Sequence, residues 1–363
     1  MNFYIIKIDL LVKETVDAVS IGFNLDADHP LKQFNPGQYL TVKYKFHGEE
    51  FLRCYSISSI PKEESLFITV KRTKQGFISN ELVTKSHVGM ELEIGAPHGK
   101  FKISSFLSKR RSHYFFAAGS GITPIISMIQ YLLEEEITSN IYLLYGNRKE
   151  EDIIFYQKIQ TLATKYEGQF KVFFVLSNSR RGNKLNPFLL KKNNWMGWNG
   201  RIDDKLIGKF IDTVNDQNKE KEYYICGPGN FIQQVEKSLH KIEIEQTNIH
   251  KEYFSIQTID SNSNEKEKLA LLKSNLTFRL NNQKYTIETK EGEKILDAII
   301  RNGFDPPHSC SSGACATCIA TKISGEVRMD SSLALDQSEI DSGLILTCQS
   351  RCLTETVEIE FDE

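Results

Sequence analysis

Charge of one sign is what this chain most conspicuously lacks: 45 Lys and Arg stand against 47 Asp and Glu, a formal net of −2 over 363 residues. Without a basic stripe, a nucleic-acid partner is not expected, because phosphate binding needs clustered cations. The N-terminal MNFYIIKIDLLVKE has neither a long apolar core nor a cleavage site, so it does not read as a secretory leader. Residues 112–133 lack Asp, Glu, Lys and Arg over a length that could span a bilayer. Gly119, Ser120, Gly121, Thr123 and Pro124 interrupt that run, and strand, loop and helix explain it better than a membrane span. Internal repeats and low-complexity tracts are absent. Cysteine is scarce and unevenly placed: there are seven, five of them in the last 54 residues. An odd, clustered set argues against an extracellular disulfide framework and for a metal or cluster site in a reducing compartment. The expected location is therefore cytoplasmic, with no membrane partner.

The remaining composition is that of folded material. A hydrophobic fraction of 40% and an aromatic fraction of 10% supply enough apolar surface to offset chain entropy. The length predicts two or three domains. Up to about residue 105 the pattern is one of short strands at 4–11, 39–46, 51–57, 66–71 and 90–94, with one helix from about 76 to 82. That spacing predicts an antiparallel β-barrel. From about residue 112 strands at 113–118, 141–145, 171–176 and 222–226 alternate with helices around 122–133, 153–162, 206–214 and 230–242. Alternation of this kind predicts an α/β domain with a parallel sheet. Residues 257–273 are polar and read as a linker. Beyond them come a hairpin turning at Asn281-Asn282, a helix at 293–302 and the cysteine cluster, an α+β module. The expected domains are thus 1–108, 109–256 and 274–363. The last carries a net charge of −7 and the rest +5, which suits electrostatic docking of one on the other or simply a solvated acidic face.

Three groups of residues carry chemistry. Cys310, Cys315, Cys318 and Cys348 follow the spacing C-x4-C-x2-C, then 29 residues, then C. It matches the plant-type 2Fe-2S pattern, in which a tight loop supplies three thiolates and a distant strand the fourth. Small polar neighbours (Ser309, Ser311, Ser312, Thr317) and Gly313 suit a loop that wraps closely around sulfur. Zinc usually asks for paired C-x2-C knuckles, and only one is present. Cys352 competes with Cys348 as fourth ligand, but it lies past the apolar strand that ends in Leu346-Thr347-Cys348. The second group is Arg53-Cys54-Tyr55-Ser56, between Pro36-Gly37-Gln38 and Gly76-Phe77-Ile78-Ser79. An aromatic ring, a cation and a helix start are what a flavin and its diphosphate need; an edge strand with exposed Arg and Tyr is the plainer alternative. Cys54 alternates with Arg53 and Tyr55 and is expected to point into the barrel core. The third group is Gly119-Ser120-Gly121-Ile122-Thr123-Pro124 after an apolar strand, with Cys226-Gly227-Pro228 after a later one. The first allows a tight turn against a dinucleotide pyrophosphate at a helix start, although Pro124 stands where a Rossmann dehydrogenase has its third glycine. Cys226 is otherwise a buried structural cysteine.

Together these residues resemble the ferredoxin–NADP reductase superfamily, of the oxygenase-reductase type that ends in a plant-type ferredoxin domain, as in phenylacetyl-CoA epoxidase systems. The resemblance covers nearly the whole chain, in the order flavin barrel, pyridine-nucleotide domain and β-grasp ferredoxin. His308 and Ser311 depart from the Tyr and Arg usual in that ferredoxin loop. It implies FAD contacts at Arg53, Tyr55, Ser56, Val70, Lys71, Gly76, Ile78 and Ser79. Nucleotide contacts are implied at Gly119, Gly121, Thr123, Pro124, Asn147, Arg148, Cys226, Gly227 and Pro228, and cluster ligation at the four cysteines. Cys226 and Glu252 are the residues implied at the flavin–nicotinamide contact. Electron counting gives the order: a nicotinamide yields two electrons as a hydride, a 2Fe-2S cluster takes one, and a flavin mediates between them. The chain is expected to pass electrons from NADPH, with NADH possible, through FAD and the cluster to an oxygenase component. A free ferredoxin, flavodoxin or desaturase is the alternative acceptor, and a redox-sensing module with little turnover the alternative role. A monomer is expected. Arg148, near the end of the second strand of the nucleotide domain, and Arg180 and Arg181 after the third, point to the NADPH 2′-phosphate, unless Arg148 is only a solvated loop residue. Glu150 and Glu151 are expected to begin the following helix.

Overall fold

The computed structural model describes residues 2–46, 49–73, 76–103, 111–178, 195–254, 273–332, 334–335 and 337–361. The first domain contains β1 (Phe3–Lys7), β2 (Leu10–Thr15), β3 (Ala18–Asn24), β4 (Tyr39–Phe46), β5 (Glu49–Ser56), β6 (Ser65–Lys71), α1 (Phe77–Lys85) and β7 (Glu91–Gly95). Its strands form two antiparallel sheets, ordered β1-β7-β4-β5 and β2-β3-β6. The strand read at 4–11 is in fact two. At Ile8 the chain bonds Met90 and Gly89, and at Asp9 it bonds Gly22, so it leaves one sheet and enters the other. β3 escaped the sequence reading because Ser20 and Gly22 break its apolar run, although Val19, Ile21 and Phe23 enter the core. α1 starts where expected, with Gly76 at its N-cap.

The second domain contains β8 (Ser112–Ala118), α2 (Ile122–Glu135), β9 (Asn140–Asn147), α3 (Tyr156–Lys165), β10 (Phe170–Leu176), β11 (Trp198–Asn199), α4 (Asp204–Val214), β12 (Lys221–Gly227), α5 (Gly229–Lys241) and β13 (Ile249–Tyr253). All six strands are parallel, in the order β11-β10-β9-β8-β12-β13. α2 and α3 cover one face and α4 and α5 the other. The strand order reverses between β8 and β12, and ligands of open α/β sheets settle outside the strand ends at such a point. The apolar run at 112–133 is β8, a 3₁₀ turn and α2, and among the described residues no helix is long and apolar enough to cross a membrane. Glu150 and Glu151 do not begin a helix. They form a 3₁₀ turn, Glu150–Asp152, and α3 starts only after Phe155 takes a left-handed φ of 61°.

The third domain contains β14 (Asn275–Leu280), β15 (Gln283–Glu288), α6 (Ile295–Arg301), β16 (Ile319–Ser324), β17 (Val327–Met329), α7 (Gln337–Asp341), β18 (Leu344–Leu346), β19 (Ser350–Cys352) and β20 (Thr356–Phe361). The main sheet runs β15-β14-β20-β16-β18, with β14 and β20 parallel, and α6 packs on it. Asn281 and Asn282 turn the β14–β15 hairpin at φ values of 51° and 60°, the left-handed pair that a two-residue loop requires. The boundary expected at 108/109, the linker at 257–273 (apart from Lys273), and Arg180 and Arg181 lie outside the described residues.

The end of the parallel sheet remote from the ligand crevice is tied by Asp216. Its Oδ2 accepts from Ser112 (2.6 Å), Tyr142 (2.6 Å) and Asn140 (2.9 Å), and its Oδ1 from the Asn218 N–H (2.7 Å). Burial alone would raise its carboxyl, but these hydrogen bonds hold it down to about 2. A depressed carboxylate stabilises the fold above its ordinary value of 3.8 and loses that contribution as pH falls through about 2. Asp216→Asn should cost about 1–2 kcal/mol near neutral pH, a figure discounted for partial solvent screening. Denaturant titrations of both proteins should show that gap closing between about pH 4 and pH 2; a gap independent of pH would contradict the assignment.

Candidate functional site

Residues on β4 and β5 sit opposite one another in register, so side chains of paired residues share a face. Leu40 pairs with Tyr55 and Val42 with Arg53; on the other face, Thr41 pairs with Cys54 and Tyr39 with Ser56. Leu40 and Val42 are core residues and Tyr55 packs against the same cluster. Cys54 therefore does not point into the barrel core as expected. Its alternation with Tyr55 is as read, but Tyr55 takes the core side and turns Cys54 outward, where its Sγ lies 2.8 Å from Ser309 Oγ of the third domain.

Several groups on this barrel are held without the partners they would need in a closed protein. Ser56 is 4% exposed and its Oγ has no hydrogen-bond partner among the described residues. Arg53 is exposed, and among the described residues its guanidinium bonds only the neighbouring Leu52 carbonyl, at 2.7 Å. α1 has no side-chain cap on its first N–H groups; Ser79 instead donates to the Gly76 carbonyl (3.0 Å) and accepts from Thr73 N–H (3.2 Å). Ile78 and Val70 bury their side chains in the core, and Val70 pairs with Val19 in the β3–β6 ladder. Burial lowers the pKa of Lys71, with Asp152 and Asp17 opposing the shift and Arg148 adding to it. These groups fit a flavin with a diphosphate: a ring neighbour in Tyr55, an exposed cation in Arg53, an orphaned hydroxyl in Ser56 and a helix start without a side-chain cap among the described residues.

At the switch point of the parallel sheet, Gly119 has φ +55°, and a Cβ there would stand 3.6 Å from Lys71 Nζ, so the first two domains meet at this turn. Gly121 is required by close approach, since a Cβ would fall 2.0 Å from the Cys226 carbonyl oxygen. The two glycine-bearing segments are thereby pressed together, with Gly227 and Pro228 leading into α5. Thr123 donates to the Ser120 carbonyl (3.0 Å) and closes the turn. Pro124 sits in the first turn of α2, where no N–H is needed. The buried Asn147 amide lies beside the Tyr145 hydroxyl, which donates to the Gly119 carbonyl (3.0 Å), and neither its Nδ2 nor its Oδ1 makes a well-formed hydrogen bond among the described residues. Arg148 is exposed and has no ion pair among the described residues. Cys226 is fully buried, and burial pushes its thiol well above the usual range. Beside it in register lies Glu252. Part of Glu252 remains open, but its Oε2 is enclosed without a partner, and burial pushes the carboxyl up to about 8. That shift favours the protonated acid near neutral pH.

In the third domain Cys310 neighbours Cys315, and Cys318 neighbours Cys348. Two pairs suit two tetrahedral irons that share bridging sulfides. The described residues hold no His/Cys/Asp/Glu group arranged for a single metal ion. Ser311 and Ala316 take φ values of 51° and 58°, strain that turns the loop's donors inward. Cys315 Sγ accepts from Cys310 N–H (3.4 Å) and Thr317 Oγ1 (3.1 Å), Cys310 Sγ from Ser312 N–H (3.4 Å), and Cys348 Sγ from Gln349 Nε2 (3.6 Å). Such donors are what a cluster's sulfurs use. Cys352 is separate: it is buried in the core formed by Leu276, Phe278 and Ile299.

The loop carrying Cys310 and Cys315 is seated on the outer face of β4 and β5. Thr41 Oγ1 lies 3.0 Å from Ser309 Oγ, and Tyr39 OH bonds the Cys315 carbonyl (2.9 Å) and Thr317 Oγ1 (2.7 Å). Ala314 packs against the nucleotide domain, and Lys100 pairs with Glu339 across the junction. Sequence reasoning missed Tyr39 and Thr41. Alternation along 39–46 gives their face, but what that face meets is fixed by residues nearly 280 positions away.

Comparisons with known proteins agree with this division. Residues 7–103 match the oxidoreductase FAD-binding domain, 115–237 the oxidoreductase NAD-binding domain, and 278–353 the 2Fe-2S iron-sulfur cluster binding domain. The chain is 31% identical to one component of the 1,2-phenylacetyl-CoA epoxidase of Escherichia coli (strain K12), over 99% of this chain and 98% of the relative. It is 30% identical to the ferredoxin reductase component of 3-ketosteroid-9-alpha-monooxygenase from Mycobacterium tuberculosis (strain CDC 1551 / Oshkosh), over 99% and 96% of the two chains. Among solved structures, phthalate dioxygenase reductase shares the fold with a TM-score of 0.61 at 21% identity, over 99% and 98% of the two chains. Three domains in this order, and relatives matched end to end, place the chain in the family of NAD(P)H-dependent oxygenase reductase components that join an FAD-binding barrel, an NAD-binding domain and a C-terminal 2Fe-2S domain.

Proposed function

We propose that this chain is an NADPH-dependent reductase that feeds electrons singly to an oxygenase component of the phenylacetyl-CoA epoxidase kind. The observation that carries the reading is the direct seating of the cysteine loop on the flavin strand: Ser309 bonds Cys54, the residue next to Tyr55. When bound, NADPH supplies a hydride, FAD takes the electron pair and the 2Fe-2S cluster hands on one electron at a time. The chain's own residues bind, orient and shield. Arg53 and the start of α1 hold the flavin diphosphate, while Tyr55 and Ser56 orient its ring. Gly119, Gly121 and the Cys226-Gly227-Pro228 turn bring the nucleotide close. Glu252 keeps a proton on its enclosed carboxyl at that contact. Cys310, Cys315, Cys318 and Cys348 hold the cluster, and Cys352 serves packing alone. Arg148, with Lys71 and Asn147 nearby, favours the 2′-phosphate of NADPH over NADH. The same reading makes it a cytoplasmic protein that works as a monomer beside its acceptor; reduced thiols for a cluster suit that compartment.

Purified anaerobically, the protein should contain two irons and two sulfides beside one flavin. Cys348→Ser should lose the cluster absorbance while Cys352→Ser keeps it, and the reverse pattern would move the fourth ligand to Cys352. The half-reactions should also separate. Arg53→Ala is expected to lose FAD and all activity. Cys310→Ser should retain ferricyanide reduction at the flavin but fail to reduce a one-electron protein acceptor. Equal loss of both activities in a folded Cys310→Ser protein would contradict the electron order. A charge-assisted contact to phosphate contributes about 1.5–3 kcal/mol, so Arg148→Ala should lower kcat/KM for NADPH by about ten- to a hundredfold and spare NADH. Steady-state kinetics with both nucleotides decide this; equal impairment would remove Arg148 from recognition.

A further inference from the structure

Tyr39 belongs neither to the flavin-binding residues nor to the cysteine set, yet it lies where all three domains meet. It is 4% exposed. Its backbone is locked by reciprocal bonds to His98 at 2.9 and 3.0 Å and by pairing with Ser56. Its hydroxyl crosses from the barrel to the cysteine loop, reaching the Cys315 carbonyl at 2.9 Å and Thr317 Oγ1 at 2.7 Å. Thr317 Oγ1 in turn lies 3.1 Å from Cys315 Sγ.

The proton inventory constrains this chain of contacts. Tyr39 and Thr317 bring one hydroxyl proton each to three contacts, and a carbonyl oxygen and a metal-bound thiolate can only accept. Thr317 spends its proton on the sulfur when Tyr39 shares its own, in a three-centre bond, between the Thr317 oxygen and the Cys315 carbonyl. Without the phenol hydroxyl, the carbonyl loses its donor and the Thr317 hydroxyl is free to turn off the sulfur. Thr41 and Cys54 meet Ser309 from the same barrel face and hold the loop's other end, and Cys54 also neighbours the Cys315 sulfur.

We propose that Tyr39 is a positioning residue for the iron–sulfur cluster, its hydroxyl docking the Cys315–Thr317 turn on the barrel and aiming the Thr317 hydroxyl at the Cys315 sulfur. The inference rests on assigning the cluster to Cys310, Cys315, Cys318 and Cys348. Its consequence is a cluster potential set partly from another domain. Reduction adds negative charge that sulfur shares, so a donor aimed at sulfur favours the reduced state and raises the potential.

The test is a potentiometric titration of the full-length holoprotein, followed by the electron paramagnetic resonance signal of the reduced cluster. Tyr39→Phe keeps the buried ring and removes only the hydroxyl. It should shift the one-electron equilibrium toward the oxidised cluster by about three- to tenfold, where tenfold is about 59 mV. Thr317→Val should shift it in the same direction by at least as much. The double variant should match Thr317→Val, because both changes act through one sulfur bond. An unchanged potential in either single variant, or additive shifts in the double, overturns the proposal. Thr317→Val keeps it open to refutation if Tyr39→Phe does not fold. A wild type without a two-iron signal would instead contradict the cluster assignment itself.

Discussion

β4 and β5 form one antiparallel ladder whose two faces serve different domains. Side-chain alternation sends Arg53 and Tyr55 one way and Cys54 the other, and cross-strand pairing adds Thr41 to the Cys54 face and Tyr39 to the same side. The first face completes the barrel, and the second receives the cysteine loop through Ser309, Cys315 and Thr317. A strand pair cannot slip by one residue without exchanging its faces. Register in this ladder therefore fixes the proposed flavin contacts and the docking of the third domain together. Most of the junction is built from neutral hydroxyl, thiol and carbonyl groups, while Lys100–Glu339 adds an ion pair at its exposed rim. The seating itself is made by short, directional contacts.

Burial at the junction also sets the protonation of its ionisable groups. Cys226 and Glu252 lie side by side on adjacent parallel strands, and enclosure raises both, which favours their neutral forms. A charged carboxylate in that position would lack a counter-ion and a donor for its Oε2. Lys71 presents the complementary case, a cation whose burial is offset by Asp152 and Asp17. Among the described residues, Ser56, Asn147 and Glu252 hold orphaned polar atoms at the proposed flavin and nucleotide sites, and Arg111 and His113 do so at the far end of the sheet, where Asp216 has four donors.

Much of this was legible in the sequence because it depends on local spacing. The cysteine spacing, the Gly119–Gly121 turn, the Asn281-Asn282 hairpin and the alternation of strands with helices after residue 112 each announce their own structure. What was illegible depends on partners remote in sequence. The run at 4–11 looks continuous because its apolar residues are; only Met90 and Gly22 reveal that it changes sheets. Glu150 and Glu151 resemble a helix start, but Phe155 takes a left-handed conformation that separates them from α3. Alternation placed Cys54 opposite Tyr55 correctly and yet gave no sign of which face was the core. Tyr39 carried no signal at all, since nothing within its own domain needs its hydroxyl.

Direct seating of the cysteine loop on the flavin strand implies that electrons reach the cluster within one molecule. Anaerobic single-turnover mixing with one equivalent of NADPH, followed at flavin and iron–sulfur wavelengths over a wide range of protein concentration, tests this most directly. Cluster reduction is predicted to be first order, with a rate constant independent of protein concentration. A rate that rises in proportion to protein concentration, or a flavin that reduces while the cluster of the same molecule stays oxidised, would contradict it.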